Sequence, residues 1–190
     1  MNRFSMGFFA LLLVSTPHLD AQTEDGFYVE LDAGLSLVSD FTTVKFDGGA
    51  NFGGALGYRF LHHYRGEVNI STRNADVDTV GGVAGFGDLK VTVFMANVYY
   101  DFDLGSSLKP YLGVGAGVGT DELNYATDPM DPFPLGFDGG DLAWNLMVGA
   151  SYRIHEGIDL SFGYRYLGVL EVFDDNLKIH EFLMGVRYHF

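Results

Sequence analysis

Six arginines and six carboxylates fall at alternate positions along extended segments of this 190-residue chain: Arg59, Arg65, Arg73, Arg153, Arg165 and Arg187, with Glu30, Asp32, Glu67, Asp101, Asp159 and Glu181. Such a set could perform acid–base chemistry, hold a cation, or form a neutralised ion-pair network. Catalysis by a pair needs both groups on one side of an element. His180 and Glu181 are neighbours, and neighbours on a strand point to opposite faces, so they make no dyad there. His62 and His63 suit a solvated turn or weak metal binding. Asn74, Asp76 and Asp78 carry part of a calcium-loop spacing, but the glycine at the sixth position and the closing glutamate are missing. No metal site and no cofactor is expected. The network reading remains, and it requires an enclosed interior that takes every second residue.

The elements that could build such an interior are strands. The final segment, Leu177 to Phe190, alternates Phe182, Met184, Val186, Tyr188 and Phe190 with Leu183, Gly185, Arg187 and His189. A period of two gives a strand one apolar face. Seven earlier segments do the same: 26–38, 50–60, 64–73, 89–102, 110–119, 142–152 and 158–166. In each, the apolar set faces out and the polar set faces in. The segment from Leu89 starts out of phase, because Lys90 and Thr92 fall on the apolar side. They lie above a membrane, or a bulge resets the register. Inward of Leu112, Val114, Ala116 and Val118 stand only Gly113, Gly115, Gly117 and Gly119 after Tyr111. That stripe either makes room for long side chains of facing strands or lines a narrow channel.

Eight half-apolar strands with almost no helical segment to cover them need an apolar solvent outside. Lipid supplies it, and the chain reads as an all-β, eight-stranded antiparallel up-and-down transmembrane β-barrel. Alternation turns all six arginines away from lipid, where each would cost about 2–4 kcal/mol at the midplane. Aromatic residues fall at both ends of the outward faces, as interface belts do. Short turns near 61–63, 103–109 and 154–157 alternate with long connections near 39–49, 74–88, 120–141 and 168–177. Short periplasmic turns and long extracellular loops are the outer-membrane pattern, with both termini periplasmic. The third long loop is acidic: Asp121, Glu122, Asp128, Asp131, Asp138 and Asp141 occur without Lys or Arg.

Residues 1–21 read as a signal peptide: Arg3, an apolar run from Phe4 to Val14, and a small residue at Ala21. Residues 22–190 form one barrel domain. The chain has no cysteine, hence no disulfide or thiolate site. Its net charge of −14 argues against nucleic acid.

MANVYYDF (95–102), KPYLGVGAGVG (109–119), AWNLMVGASYRI (143–154), DLSFGYRYL (159–167) and HEFLMGVRYHF (180–190) together resemble the outer-membrane β-barrel family of the OmpA and opacity-protein (OmpX-like) type. The resemblance implies an integral protein of the Gram-negative outer membrane with no shared catalytic residues. It implies that Tyr188 and the terminal Phe190 are the signal read by the barrel-assembly machinery. Some small barrels of this membrane are lipid A-modifying enzymes with a Ser, a His and a carboxylate; here no outward serine stands beside His180. The expected partners are outer-membrane lipid and lipopolysaccharide, the assembly machinery, and an extracellular ligand whose identity the sequence leaves open. The expected role is structural and surface-interacting, with a charged, largely occluded lumen. The alternative is a narrow porin-like channel.

Overall fold

The computed structural model describes residues 25–38, 44–46, 48–80, 83–84, 86–126, 141–172 and 175–190, with side chains placed at all of these except 44–46, 75–80, 83–84, 86–89, 121–126, 171–172 and 175–176. Residues 1–21, expected to be a signal peptide, and most of the third long connection lie outside the described residues. Ten strands run in chain order: β1 (Gly26–Val38), β2 (Val44–Phe46), β3 (Gly49–Phe60), β4 (Tyr64–Val80), β5 (Val83–Ala84), β6 (Phe86–Asp101), β7 (Leu108–Ala126), β8 (Asp141–His155), β9 (Ile158–Val172) and β10 (Asp175–His189).

Every neighbouring pair is antiparallel, and the sheet closes on itself. β1 pairs with β3 on one side and β10 on the other, while β4 pairs with β6, so eight strands complete a ring. β2 and β5 are short additions on β4. Closure follows from the surroundings the pattern demands, because an unpaired strand edge in hydrocarbon has no partner for its N–H and C=O groups. The seam is complete to its last residue: Tyr28 lies opposite His189, and Phe190 N donates to Phe27 O at 3.0 Å.

Alternation sorts the side chains as their period requires. Leu31, Leu35, Phe52, Val68, Phe94, Val114, Leu146, Phe182 and Met184 are exposed on the outside. Arg59, Arg65, Arg73, Arg187 and Glu181 are fully buried inside. Aromatic rings cluster toward the two rims, as in the contacts Phe27–Tyr58, Tyr64–Tyr100, Tyr100–Phe102 and Tyr188–Phe190 at one end and Trp144–Tyr166 at the other.

Two sequence expectations change. The connections expected at 74–88 and 168–177 are mostly strand, since β4 runs on to Val80 and β6 starts at Phe86, while β9 runs on to Val172 and β10 starts at Asp175. No bulge precedes Phe94, because β6 keeps unbroken register with both β4 and β7. Lys90 and Thr92 are therefore outward residues above the apolar band. Thr72 and Thr92 hydrogen-bond across that outer face at 3.0 Å, and Thr120 donates to the Thr92 carbonyl at 3.5 Å. This threonine row is where the outside turns from apolar to polar. Six residues of β6 and six of β7 continue beyond it, about 20 Å of strand at 3.4 Å per residue.

Candidate functional site

The inward faces of the eight barrel strands line one lumen, and its chemistry changes with height. Nearest the termini, Asp101 on β6 receives Arg65 Nε at 2.8 Å and Arg59 at 3.4 Å. Asp159 on β9 receives Arg153 at 2.6 Å and His189 at 2.8 Å. Arg153 keeps the inward phase but stands at the rim near the end of β8, its side chain 40% exposed.

One level higher, Arg187 on β10 grips Glu30 on β1 through Nη2 at 2.7 Å, and Ser161 donates to the same carboxylate at 2.5 Å. These two side chains lie directly opposite in the β1–β10 register. Glu67 does not pair with arginine as its sequence position suggested. Tyr28 and Tyr99 donate their hydroxyls to it at 2.9 and 3.0 Å, and Asn97 at 3.4 Å. Arg65 lies over the Tyr99 ring at 4.2 Å, with the Tyr111 and Tyr28 rings at 5.3 and 5.8 Å. Tyrosines thus stand between this cation and this carboxylate. Arg65 and Glu67 thus each meet hydrogen bonds or a π-face, as burial demands, whereas Asp32 Oδ1 is buried without a hydrogen-bond partner.

Higher again, Glu181 on β10 is shared by Arg73 at 2.7 Å and by Arg165. Ser36 and Asn51 each donate to it at 3.0 Å. Asp32 faces inward between Gly53 and Gly185, its cross-strand neighbours.

The glycine stripe of β7 is filled. Gly113, Gly115, Gly117 and Gly119 lie opposite Tyr99, Asn97, Met95 and Val93. A Cβ at Gly113 would strike the Tyr99 ring, and one at Gly119 would crowd Val93. The side chains of β6 lean over the stripe and occupy its space.

Above Glu181 the lumen is apolar. Val91, Val93, Met95, Ala143, Leu167, Val169, Leu177 and Ile179 form one buried cluster, with Val38 packed against it. Sequence reasoning missed this layer, having treated the inward faces as polar throughout. The available signal was the inward phase itself: extended toward the long connections, it places only aliphatic residues at this height on β6, β9 and β10. It also missed the neutral partners Tyr28, Tyr99, Asn97, Ser36, Asn51 and Ser161, and the rim partner His189.

His180 and Glu181 take opposite faces. His180 looks outward, where the Tyr164 hydroxyl meets its Nδ1 at 2.6 Å. Tyr188 and Phe190 are outward and exposed at the terminal rim. Asp76 and Asp78, and the acidic residues from Asp121 to Asp138, carry no described side chains. His62 lies in a turn whose Leu61 and His62 have φ of 53° and 63°, and its N–H donates to Asp25 at 2.9 Å. Among the described residues, no group of three His, Asp or Glu is placed to hold a metal.

The lumen so built neutralises charge at three heights and closes with hydrocarbon at the fourth. Comparison with known proteins places this geometry. The family described as outer membrane protein beta-barrel domain matches residues 6–190. The outer membrane protein PagN of Salmonella typhimurium is 25% identical over 90% of this chain and 92% of its own. Opacity protein opA65 of Neisseria gonorrhoeae is 31% identical over 48% of this chain and 49% of its own length. The crystal structure of Neisserial surface protein A superposes with a TM-score of 0.66 at 26% identity, covering 87% of this chain and 97% of that one.

Proposed function

The chain belongs to the outer membrane protein β-barrel family and is an integral outer-membrane protein, and from that premise we propose that it is a non-catalytic, essentially non-conducting barrel whose work is done by the surface it presents outside the cell. Both termini face the periplasm in this reading. β4, β6 and β7 rise beyond the membrane and carry the acidic connections. Outer-leaflet lipid and lipopolysaccharide surround the barrel, and the assembly machinery reads Tyr188 and Phe190 during insertion.

The observation that carries the proposal is the filled lumen. Eight strands enclose a bore only just wide enough for side chains. Here the bore holds paired arginines at three levels and the Val91–Val93–Leu167–Ile179 layer above them. Nothing in it resembles the open position that catalysis or transport needs. The paired charges serve the barrel by cancelling one another, and the strands raised above the threonine row serve whatever the cell meets.

Two measurements test this. An epitope inserted near residue 130 should be labelled on intact cells, whereas a tag fused after Phe190 should be labelled only after the outer membrane is permeabilised. The refolded protein in planar bilayers should give at most small, infrequent current steps. Steady solute-permeable conductance would move the assignment to a narrow porin, and labelling of the Phe190 tag on intact cells would reverse the orientation.

A further inference from the structure

Among residues with described side chains, the outward strand faces carry two lysines and one histidine, Lys90, Lys178 and His180, and no carboxylate. All three sit at the long-connection end. Two of them share one patch. In register across β8, β9 and β10, Trp144 lies beside Gly168 and Lys178, and in the next row Leu146 lies beside Tyr166 and His180.

The patch has a fixed shape. The Trp144 indole lies flat over Gly168, where an added Cβ would come within 2.6 Å of Nε1. Any other residue there would lift the ring. The Tyr166 ring stands 5.4 Å from Trp144 and 5.1 Å from His180, edge-on to the imidazole. Tyr164 then holds His180 Nδ1 at 2.6 Å. With Nδ1 engaged by the phenol, Nε2 is the ring nitrogen on the side away from the tyrosine. Lys178, two residues on, adds an ammonium about 7 Å along the same face.

We propose that Lys178, His180, Trp144 and Tyr166 bind the phosphate of a phosphorylated glycolipid in the outer leaflet. The inference rests on the orientation proposed above, which puts this rim in that leaflet. Every polar group the patch offers is a donor: an ammonium, an imidazole N–H, an indole N–H and a phenol. Among the residues with described side chains, no outward carboxylate competes. Directly below, Phe182, Met184 and Val186 continue the same face of β10 as exposed hydrocarbon. A ligand seated on the donors therefore lays its acyl chains along the barrel, which a free phosphate ion cannot do. An ordinary aromatic belt accounts for Trp144 and Tyr166. It does not account for Tyr164, whose hydroxyl turns to the imidazole rather than to water. Lys90, on the other side of the barrel, lies in register between Asn74 and Glu122 rather than beside aromatic residues, and it serves as the internal control.

Native mass spectrometry of the refolded full chain in detergent provides the test, with bis-phosphorylated lipid A, dephosphorylated lipid A and inorganic phosphate as probes. One bis-phosphorylated lipid A should be retained in preference to the other two. Lys178→Ala should weaken retention about fivefold, the effect of one cation at a membrane surface, and His180→Ala, which removes one hydrogen-bonding group, should weaken it about threefold. Lys90→Ala should leave it unchanged. Tyr164→Phe, which removes one exposed-face oxygen and spares the barrel, should weaken it less, and it keeps the test decisive if His180→Ala does not refold. Equal retention of the dephosphorylated lipid, equal binding of inorganic phosphate, or an equal loss in Lys90→Ala would overturn the site. Failure of the parent chain to insert at all would instead strike the outer-membrane orientation.

Discussion

The lumen is closed by opposite chemistries at its two ends. Toward the termini, Arg59, Arg65 and Arg187 are held by Asp101 and Glu30. Toward the long connections, Val91, Val93, Leu167, Val169, Leu177 and Ile179 meet side by side. The first region is specified by geometry: each arginine needs a carboxylate at one height and angle, and a missing partner leaves a charge stranded in low dielectric. The second is specified only by volume, since hydrocarbon packs without direction. A polar lumen is dense with donors yet still offers a path to water. The apolar layer offers none, and a hydrophobic constriction blocks ions by excluding water. In the occluded barrel proposed here, charge sets the register and hydrocarbon supplies the seal.

Four variants would break or sharpen that contrast, and a fifth calibrates them. Glu181→Ala strands both Arg73 and Arg165 and should cost about 3–5 kcal/mol, read as a lower urea midpoint from the fluorescence of Trp144. Leu167→Ala in the apolar layer should cost about 3 kcal/mol by leaving a cavity. In bilayers, Val93→Ser with Ile179→Ser should raise ion leakage more than any loss of a charged pair. Removing both members of one pair, Arg187→Ala with Glu30→Ala, should cost only about 1–2 kcal/mol, less than Glu30→Ala alone, because no charge is stranded. If the double variant leaks as much as the serine variant, the charged levels are the seal and the contrast fails. The smallest effect calibrates the others from outside both layers. Leu61 holds a left-handed φ of 53°, and Leu61→Gly should stabilise the barrel by about 1 kcal/mol, seen in the same unfolding curve.

The eight strands were legible because lipid outside and polar groups inside impose the same period on every segment, so Phe182 to Phe190 and Phe27 to Leu37 speak alike. Pairing was not legible. It depends on the stagger between strands, which neither strand encodes alone; Glu67 therefore looked like a partner for arginine and met Tyr28 and Tyr99 instead. The apolar layer was hidden for a different reason. In the run Val91–Thr92–Val93–Phe94, both faces are apolar or nearly so, and the alternation that marks the inside loses its contrast. Arg153 was legible as an inward residue, and it meets Asp159 directly across the β8–β9 register.

The hydrogen bond from Phe190 to Phe27 ties the latest-made strand of the barrel to the earliest. Such a sheet cannot be completed in the order in which a ribosome delivers it. Until β10 arrives, β1 has one neighbour missing, and every intermediate carries an open edge with a greasy face. Topologies dominated by contacts distant in sequence gain their contacts late and fold slowly. Closure of the ring therefore waits for the last strand. Losing the last few residues would not shorten the barrel; it would remove the moment of closure.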